Sequence, residues 1–348
     1  MAIVMASKII APYFLAWLAD HFQQRLKIIQ ISLLFTVVVF AGVFIDQSYW
    51  WLVTIMAVFG FFWNASLPLF EALAFNHLGD KPNRYSHVRM WGSVGFIVLV
   101  ISLPMLINEE AISRLPILLI FLLLLNGLST LFISDKDPLP HASSSLQKLP
   151  EVIKSPLVLV FLIACSLQAI SHGAYYTFFS IYMEEHHYTR TMTGWMWGLG
   201  VIAEVVLFVF MHRLLNRFGA CKLFNIALFV TAIRWVILAL WIDNLAFLIV
   251  AQLFHAASFG LFHASAIHLI HALFAGKLQA RGQALYAGLS FGLGGALGNL
   301  LSGYSWDLYG STWTFLASAF IAFLATIISV IYVRKQYLPI SNSVATNI

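Results

Sequence analysis

The chain has 348 residues, of which 61% are hydrophobic and 9% are Asp, Glu, Lys or Arg, and its formal net charge is +5. Soluble domains carry roughly 25% charged residues, so nineteen basic and fourteen acidic side chains are too few to coat a water-facing surface of this size, and a soluble globule is excluded. The positive balance is not a nucleic-acid footprint, because the Lys and Arg residues fall in short breaks between apolar runs and form no stripe.

The apolar runs reach the length needed to cross a ~30 Å hydrocarbon core. In chain order they predict membrane helices over 2–19, 28–45, 50–75, 88–107 and 114–133, each ended by a polar or turn-forming break. A stretch rich in Pro, Ser and charge follows, from Asp135 to Ser155. Six more helices are predicted over 156–183, 191–213, 221–242, 245–272, 281–304 and 311–333. Met1 to Ile10 has neither the basic start nor the small-residue cleavage site of a signal peptide, and reads as part of the first helix. The runs are too long for strands and lack the alternation of an outer-membrane barrel. The expected fold is therefore all-α and polytopic, with eleven transmembrane helices. Residues 1–134 are read as an N-terminal bundle, 135–155 as a cytoplasmic linker, 156–334 as a C-terminal six-helix bundle and 335–348 as a tail. Cys165 and Cys221 lie in or beside apolar segments and form neither a disulfide framework nor a CxxC pattern.

Positive residues are retained on the cytoplasmic side, which orients the spans. The loops after the first, third, fifth, seventh and ninth helices, with the C-terminal end, hold 15 of the 19 Lys and Arg residues. The remaining loops hold Arg114 and Arg190, and Lys8 and Arg234 lie inside apolar spans. The C-terminus is expected inside and the N-terminus outside. An internal repeat accounts for the odd helix number. The turns at Ala19–Arg25 and Leu215–Lys222 are both short, basic and cytoplasmic, but the first follows one helix and the second follows two helices of its half. A 6 + 6 design lacking its first helix fits this, since many secondary transporters are built from repeats.

Charged and polar side chains inside apolar spans are the informative positions, because an ionised group at bilayer depth costs about 2.5–3.5 kcal/mol and must be paired or face a wet cavity. Glu204 precedes the turn near Arg217 by ~20 Å of helix and Arg234 follows it by ~25 Å, so the two can meet at similar depth. A buried pair of this kind either fixes helix register or serves as a switch. His255 and His263 share a broad face of the next helix, His255 roughly level with Arg234, and an imidazole can hold a proton near neutral pH. Glu71 and Arg89 flank the loop at 76–88 and can face one another, where a guanidinium suits an organic carboxylate; Arg89 serves equally as an inside-positive anchor. Gln168, His172, Tyr175 and Tyr176 are spaced i, i+4, i+7 and i+8, as a cavity wall or a packed aromatic stripe.

Other signals read as packing or as chance. His263, His268 and His271 lack an accompanying carboxylate or thiolate, so no metal is expected. Gly292 and Gly294 lie inside an apolar helix and not after a strand, so they are no dinucleotide fingerprint; with Gly288, Gly295, Gly298 and Gly303 they let helices approach. Asn64-Ala65-Ser66 matches a glycosylation pattern but is intramembrane. No paired acids or Ser/His/Asp set stands in the polar loops, which argues against an intramembrane lipid-modifying enzyme.

The turn Ala16-x-x-x-Asp20-x-x-x-x-Arg25 resembles the signature loop of the major facilitator superfamily, and Asn216-Arg217-Phe218-Gly219 its second copy. The runs Pro68–Ala74, Val88–Phe96, Ala174-Tyr175-Tyr176, Gly200–Val205 and Ile233-Arg234-Trp235 together look like the 3-phenylpropionate transporter group, relatives of lactose permease and nucleoside:proton symporters. The resemblance implies alternating access between two bundles, not enzymatic chemistry, and no cofactor. It implies that Glu204 carries a coupling proton tuned by Arg234, His255 and His263. It gives Glu71 and Arg89 a substrate-binding role, and Asp20, with Arg25, a gating role. The expected function is proton-coupled symport of a small organic solute such as an aromatic carboxylate. Alternatives are a nucleoside or sugar:proton symporter, or an N-terminally truncated inactive transporter. The expected partners are solute, protons and lipid, with no nucleic acid, for a monomer in a bacterial inner membrane.

Overall fold

Within a bilayer no water satisfies backbone N–H and C=O groups, so a spanning chain must bond them internally. The computed structural model describes residues 2–22, 24–78, 85–106, 113–134, 152–274 and 278–333, and every regular element among them is helical. Nine segments among the described residues are long and apolar enough to cross a membrane, and Trp91–Met105 is a shorter apolar helix. The chain packs as two compact units, Met1–Gly92 with Leu106–His141, and Ser93–Met105 with Ala142–Ile348.

The first unit holds α1 (Ala2–Phe22), α2 (Arg25–Ala41), α3 (Tyr49–Leu78), the start of α4 (Tyr85–Leu106) and α5 (Leu115–Ser129). Its core comes from residues repeating at four-residue spacing, which keeps them on one helix face: Ala11, Leu15 and Ala19 of α1 pack with Ile29 and Leu33 of α2 and Ala65, Leu69 and Leu73 of α3. The polar side chain of Asn64 is a clamp between helices, its amide donating to Val4 O at 2.7 Å and Ser7 Oγ at 2.9 Å. Between α2 and α3, Asp46 accepts from the Ser48 amide at 3.0 Å and from its hydroxyl, and these bonds hold the Asp46 carboxyl below its ordinary pKa.

The second unit holds Ser93–Met105 of α4 with α6 (Pro156–Ser171), α7 (Gly173–Glu185), α8 (Arg190–Phe218), α9 (Ala220–Trp241), α10 (Leu245–Leu253), α11 (Phe262–Leu273), α12 (Leu278–Tyr286) and α13 (Gly295–Ile328). Three expected uninterrupted spans are interrupted. The run 156–183 breaks at His172, between α6 and α7. The run 245–272 is α10 and α11 joined through a wide π-helical turn, Ala256–Leu261. The run from 281 passes from α12 through a second π-helical segment, Ala287–Gly294, into α13. Gly310, with φ 81° and ψ 177°, departs from helical geometry inside α13, a left-handed φ that glycine adopts without steric cost. The departure at Gly310 falls in the break expected between 304 and 311, whereas the break at His172 and the two π-helical segments do not show in the apolar pattern, because hydropathy reports burial and not hydrogen-bond register.

The unit has two hydrophobic clusters. One gathers Phe161, Phe224, Phe262, Leu269 and Tyr286; the other gathers Tyr175, Phe179, Tyr182, Trp235, Leu238 and Phe315. In sequence, the helices pass from one cluster to the other through Gln168, Ser171 and His172 on α6 and its end, Thr231 and Arg234 on α9, and Gln252 of α10 with His255 and Ser258 between α10 and α11. All of these are buried, so a polar layer separates two greasy ones. Close backbone approaches tie the unit together: a Cβ on Gly298 would stand 2.6 Å from Ile170 O, and a Cβ on Gly173 would run into the Gly298 backbone. Gly294 and Gly298 thus act as the glycine stripe predicts, whereas Gly303 meets nothing within 4 Å.

Candidate functional site

The polar layer is built around a guanidinium. Arg234 is fully buried; its Nε donates to Ala251 O at 2.8 Å, Nη1 to Ser258 Oγ at 3.0 Å and Nη2 to Gln252 Oε1 at 3.5 Å. The guanidinium carbon lies 4.1 Å from the Tyr175 ring centre and 4.6 Å from that of Trp235, contacts worth ~2 kcal/mol or more when desolvated. Among the described residues Arg234 forms no salt bridge.

The carboxylate of the layer goes elsewhere. Glu204 Oε2 on α8 stands 3.7 Å from His255 Nε2, with side-chain exposures of 15% and 7%. Two glycines make the approach: a Cβ at Gly200 would meet the His255 ring at 3.3 Å, and a Cβ at Gly260 would come within 3.0 Å of Glu204 Cγ. Gly260 and Ser258 belong to the π-helical turn Ala256–Leu261, and such turns frequently mark functional sites. Gln168 grips the same turn, its Nε2 donating to Ser258 O at 2.9 Å and to Thr231 Oγ1 at 2.7 Å.

Aromatic and imidazole rings surround this network. The Tyr175 hydroxyl donates to Gln252 Oε1 at 2.8 Å. His172 Nδ1 lies 2.8 Å from Gln168 O, which assigns the ring proton to Nδ1 and leaves Nε2 as an acceptor, and the ring stands edge-on to Trp235 at 4.9 Å. Tyr176 stacks on His172 at 5.8 Å and on Trp197 at 6.4 Å and is the more exposed of the two tyrosines. Gln168, His172, Tyr175 and Tyr176 therefore gather around Arg234 and Trp235, but from two helices and not from one continuous face. Four buried atoms here make no hydrogen bond among the described residues: Gln168 Oε1, His172 Nε2, Gln252 Nε2 and His255 Nδ1.

His263 lies two turns beyond His255. Its Nδ1 is 3.1 Å from the Tyr286 hydroxyl, and its ring follows Phe259, which itself stacks on His255 at 5.6 Å. In the first unit, Glu71 is a half-buried residue of α3 and Arg25 opens α2. The side chains of Asp20 and Arg89 lie outside the described residues. A separate small pocket of about 40 Å³ borders Ser302, Ser305, Thr314 and Ser318, large enough only for water.

Sequence reasoning missed Gln252, Ser258 and Thr231 as partners of the layer. The signal was present for two of them: Gln252, His255 and Ser258 recur every three residues in an otherwise apolar run. Thr231 and Trp197 carry no such mark, because Thr and Trp are ordinary in membrane helices.

Comparison with known proteins agrees with this architecture. Residues 1–317 match the profile of the MFS_1-like family. The chain is 28% identical over 287 residues to a protein of Escherichia coli described as a probable 3-phenylpropionic acid transporter, covering 80% of this chain and 73% of that one. It is 25% identical over 284 residues to a maltose permease of Geobacillus stearothermophilus, covering 79% and 71%. Among solved structures, a variant of the nucleoside transporter NupG superposes with a TM-score of 0.82 over 95% of this chain and 90% of that one, at 14% identity. The helical fold, the intramembrane polar layer and a family match spanning most of the chain make it a member of the MFS_1-like family, a membrane transporter and not an enzyme.

Proposed function

We propose that the chain carries a small organic solute, an aromatic carboxylate of the 3-phenylpropionate kind, together with protons by alternating access. The observation that carries the reading is the 3.7 Å approach of the Glu204 carboxylate to the His255 imidazole beside the buried Arg234. Intramembrane ionisable groups are costly and mark ion or substrate pathways, and a carboxylate facing an imidazole is a proton-holding pair. Protonation of Glu204 neutralises a charge at the centre of a span and favours the inward switch; release to the cytoplasm resets it. Arg234, His255 and His263 tune that proton, while Gln168, His172, Tyr175 and Tyr176 wall the solute site.

In this reading Glu71 and Arg89 form a second polar contact for the solute, and Asp20 and Arg25 gate the cytoplasmic turn. The moving bodies are 1–134 and 156–334, joined by 135–155. The protein works as a monomer in a bacterial inner membrane with a cytoplasmic C-terminus. The name of the Escherichia coli relative supports the aromatic acid. A neutral solute, sugar or nucleoside, is the second reading, supported by the name of the maltose permease and by the uncharged hydrogen-bonding atoms of Gln168 and Gln252.

Uptake into proteoliposomes under an imposed inward pH gradient, screened over aromatic acids, nucleosides and sugars, tests the proposal. Accumulation of an aromatic acid that collapses with a protonophore is the expected result. Gradient-independent uptake, or uptake of sugars or nucleosides alone, contradicts it.

A further inference from the structure

We infer that Arg234 is the receptor for the solute's carboxylate, with Gln252 as the positioning residue that presents its guanidinium; the inference rests on the carboxylate reading above. A charge removed from water demands a counter-charge or a full set of hydrogen bonds. The partners of Arg234 are a backbone carbonyl, a serine hydroxyl, a glutamine oxygen and two aromatic faces, all neutral.

A guanidinium has five N–H donors. Three are directed at Ala251 O, Ser258 Oγ and Gln252 Oε1 and the Tyr175 hydroxyl is within reach of a further one, a neutral contact that a carboxylate can displace to engage the guanidinium bidentately. The carboxylate of Glu204 stands against His255 at 3.7 Å and forms no salt bridge with Arg234 among the described residues. Independently, Gln252 Nε2, Gln168 Oε1, His172 Nε2 and His255 Nδ1, on residues at most 5% exposed, make no hydrogen bond among the described residues. A buried polar atom without a partner costs about 1–3 kcal/mol; of the four, the Gln252 amide nitrogen is a donor that an entering carboxylate can satisfy, while Gln168 Oε1 and His172 Nε2 are acceptors that call for a donor such as water. Tyr175 lies over the guanidinium with its hydroxyl tied to Gln252, and an entering carboxylate takes the place of that contact while the aryl group meets Tyr176 and Trp197.

The test gives Arg234 an internal counter-ion. Gln252→Glu puts a carboxylate of the chain where Gln252 Oε1 now accepts from Arg234, and Ser258→Asp does so at Nη1; the second variant serves if the first does not fold. Purified parent and variant proteins in detergent are titrated with 3-phenylpropionate and with its uncharged amide, and their melting temperatures are measured alongside. The expected result is at least about tenfold weaker binding of the acid, about 1.4 kcal/mol, with the amide weakened far less than the acid and a melting temperature at or above the parent's. Unchanged affinity for the acid in a folded variant overturns the inference while leaving the carboxylate reading intact. A parent that binds uridine or maltose and no aromatic acid overturns that reading, and the inference with it.

Discussion

Glu204 on α8 and His255, just before the π-helical turn that follows α10, meet at 3.7 Å across two glycines, Gly200 and Gly260, whose missing side chains are what allow the approach. The pair is joined to Arg234 through the π-helical turn, since Ser258 of that turn accepts from Arg234 and its carbonyl accepts from Gln168. A proton arriving at Glu204 therefore bears on the same backbone segment that Arg234 and Gln168 hold.

Glu204→Gln removes the titrating group while keeping shape. Uptake of labelled solute into proteoliposomes under a pH gradient is expected to fall to the equilibrium level, while exchange against preloaded solute persists. Equal accumulation by variant and parent removes Glu204 from the mechanism.

Arg234→Ala leaves Ala251 O, Ser258 Oγ and Gln252 Oε1 without their donor and is expected to abolish uptake and to destabilise the protein by about 1–3 kcal/mol, read as a lower melting temperature in detergent. Arg234→Lys keeps the charge, but one ammonium cannot span Ala251 O, Ser258 Oγ and Gln252 Oε1 as a planar fork does, so uptake is expected to fall at least about tenfold, about 1.4 kcal/mol in transition-state terms. Full uptake by the lysine variant contradicts a directional role.

Gly260→Ala introduces a methyl 3.0 Å from Glu204 Cγ, a flexible side chain that moves aside rather than unfolding the helix. A melting temperature close to the parent's with defective proton coupling is expected. Normal coupling means that the position of Glu204 against His255 is immaterial.

Gly298→Ala is the structural contrast. Its new methyl faces the Ile170 backbone carbonyl at 2.6 Å, which cannot swing away, and overpacking of this kind costs about 1–3 kcal/mol. Thermal unfolding in detergent should show the loss, and an unchanged melting temperature would mean that α6 and α13 separate freely.

The all-helical architecture and the membrane setting are legible in the sequence, because apolar length and charge scarcity follow directly from the bilayer. Glu204, Arg234 and His255 stand out for the same reason: each is a costly residue in an apolar run. What the pattern cannot convey is register. The break at His172 and the π-helical turn at Ala256–Leu261 leave hydropathy unchanged, so Gln168 and Tyr175 read as one face although they sit on two helices; the departure at Gly310 falls in the break expected between 304 and 311. Gln252 and Ser258 share a three-residue spacing with His255 in an apolar run, but which partner they serve is seen only when Arg234 reaches them. Asn64, read as a chance glycosylation pattern, is a clamp on α1 because its acceptors, Val4 O and Ser7 Oγ, lie too far away in sequence for spacing to reveal.

Proton movement counted against solute movement tests the central claim most directly. A pulse of 3-phenylpropionate added to lightly buffered proteoliposomes is expected to alkalinise the outer medium as it enters, with a fixed ratio of protons to solute, and Glu204→Gln should take up neither against a gradient. Solute entry with no accompanying proton uptake, in liposomes that hold a pH gradient, would contradict the account.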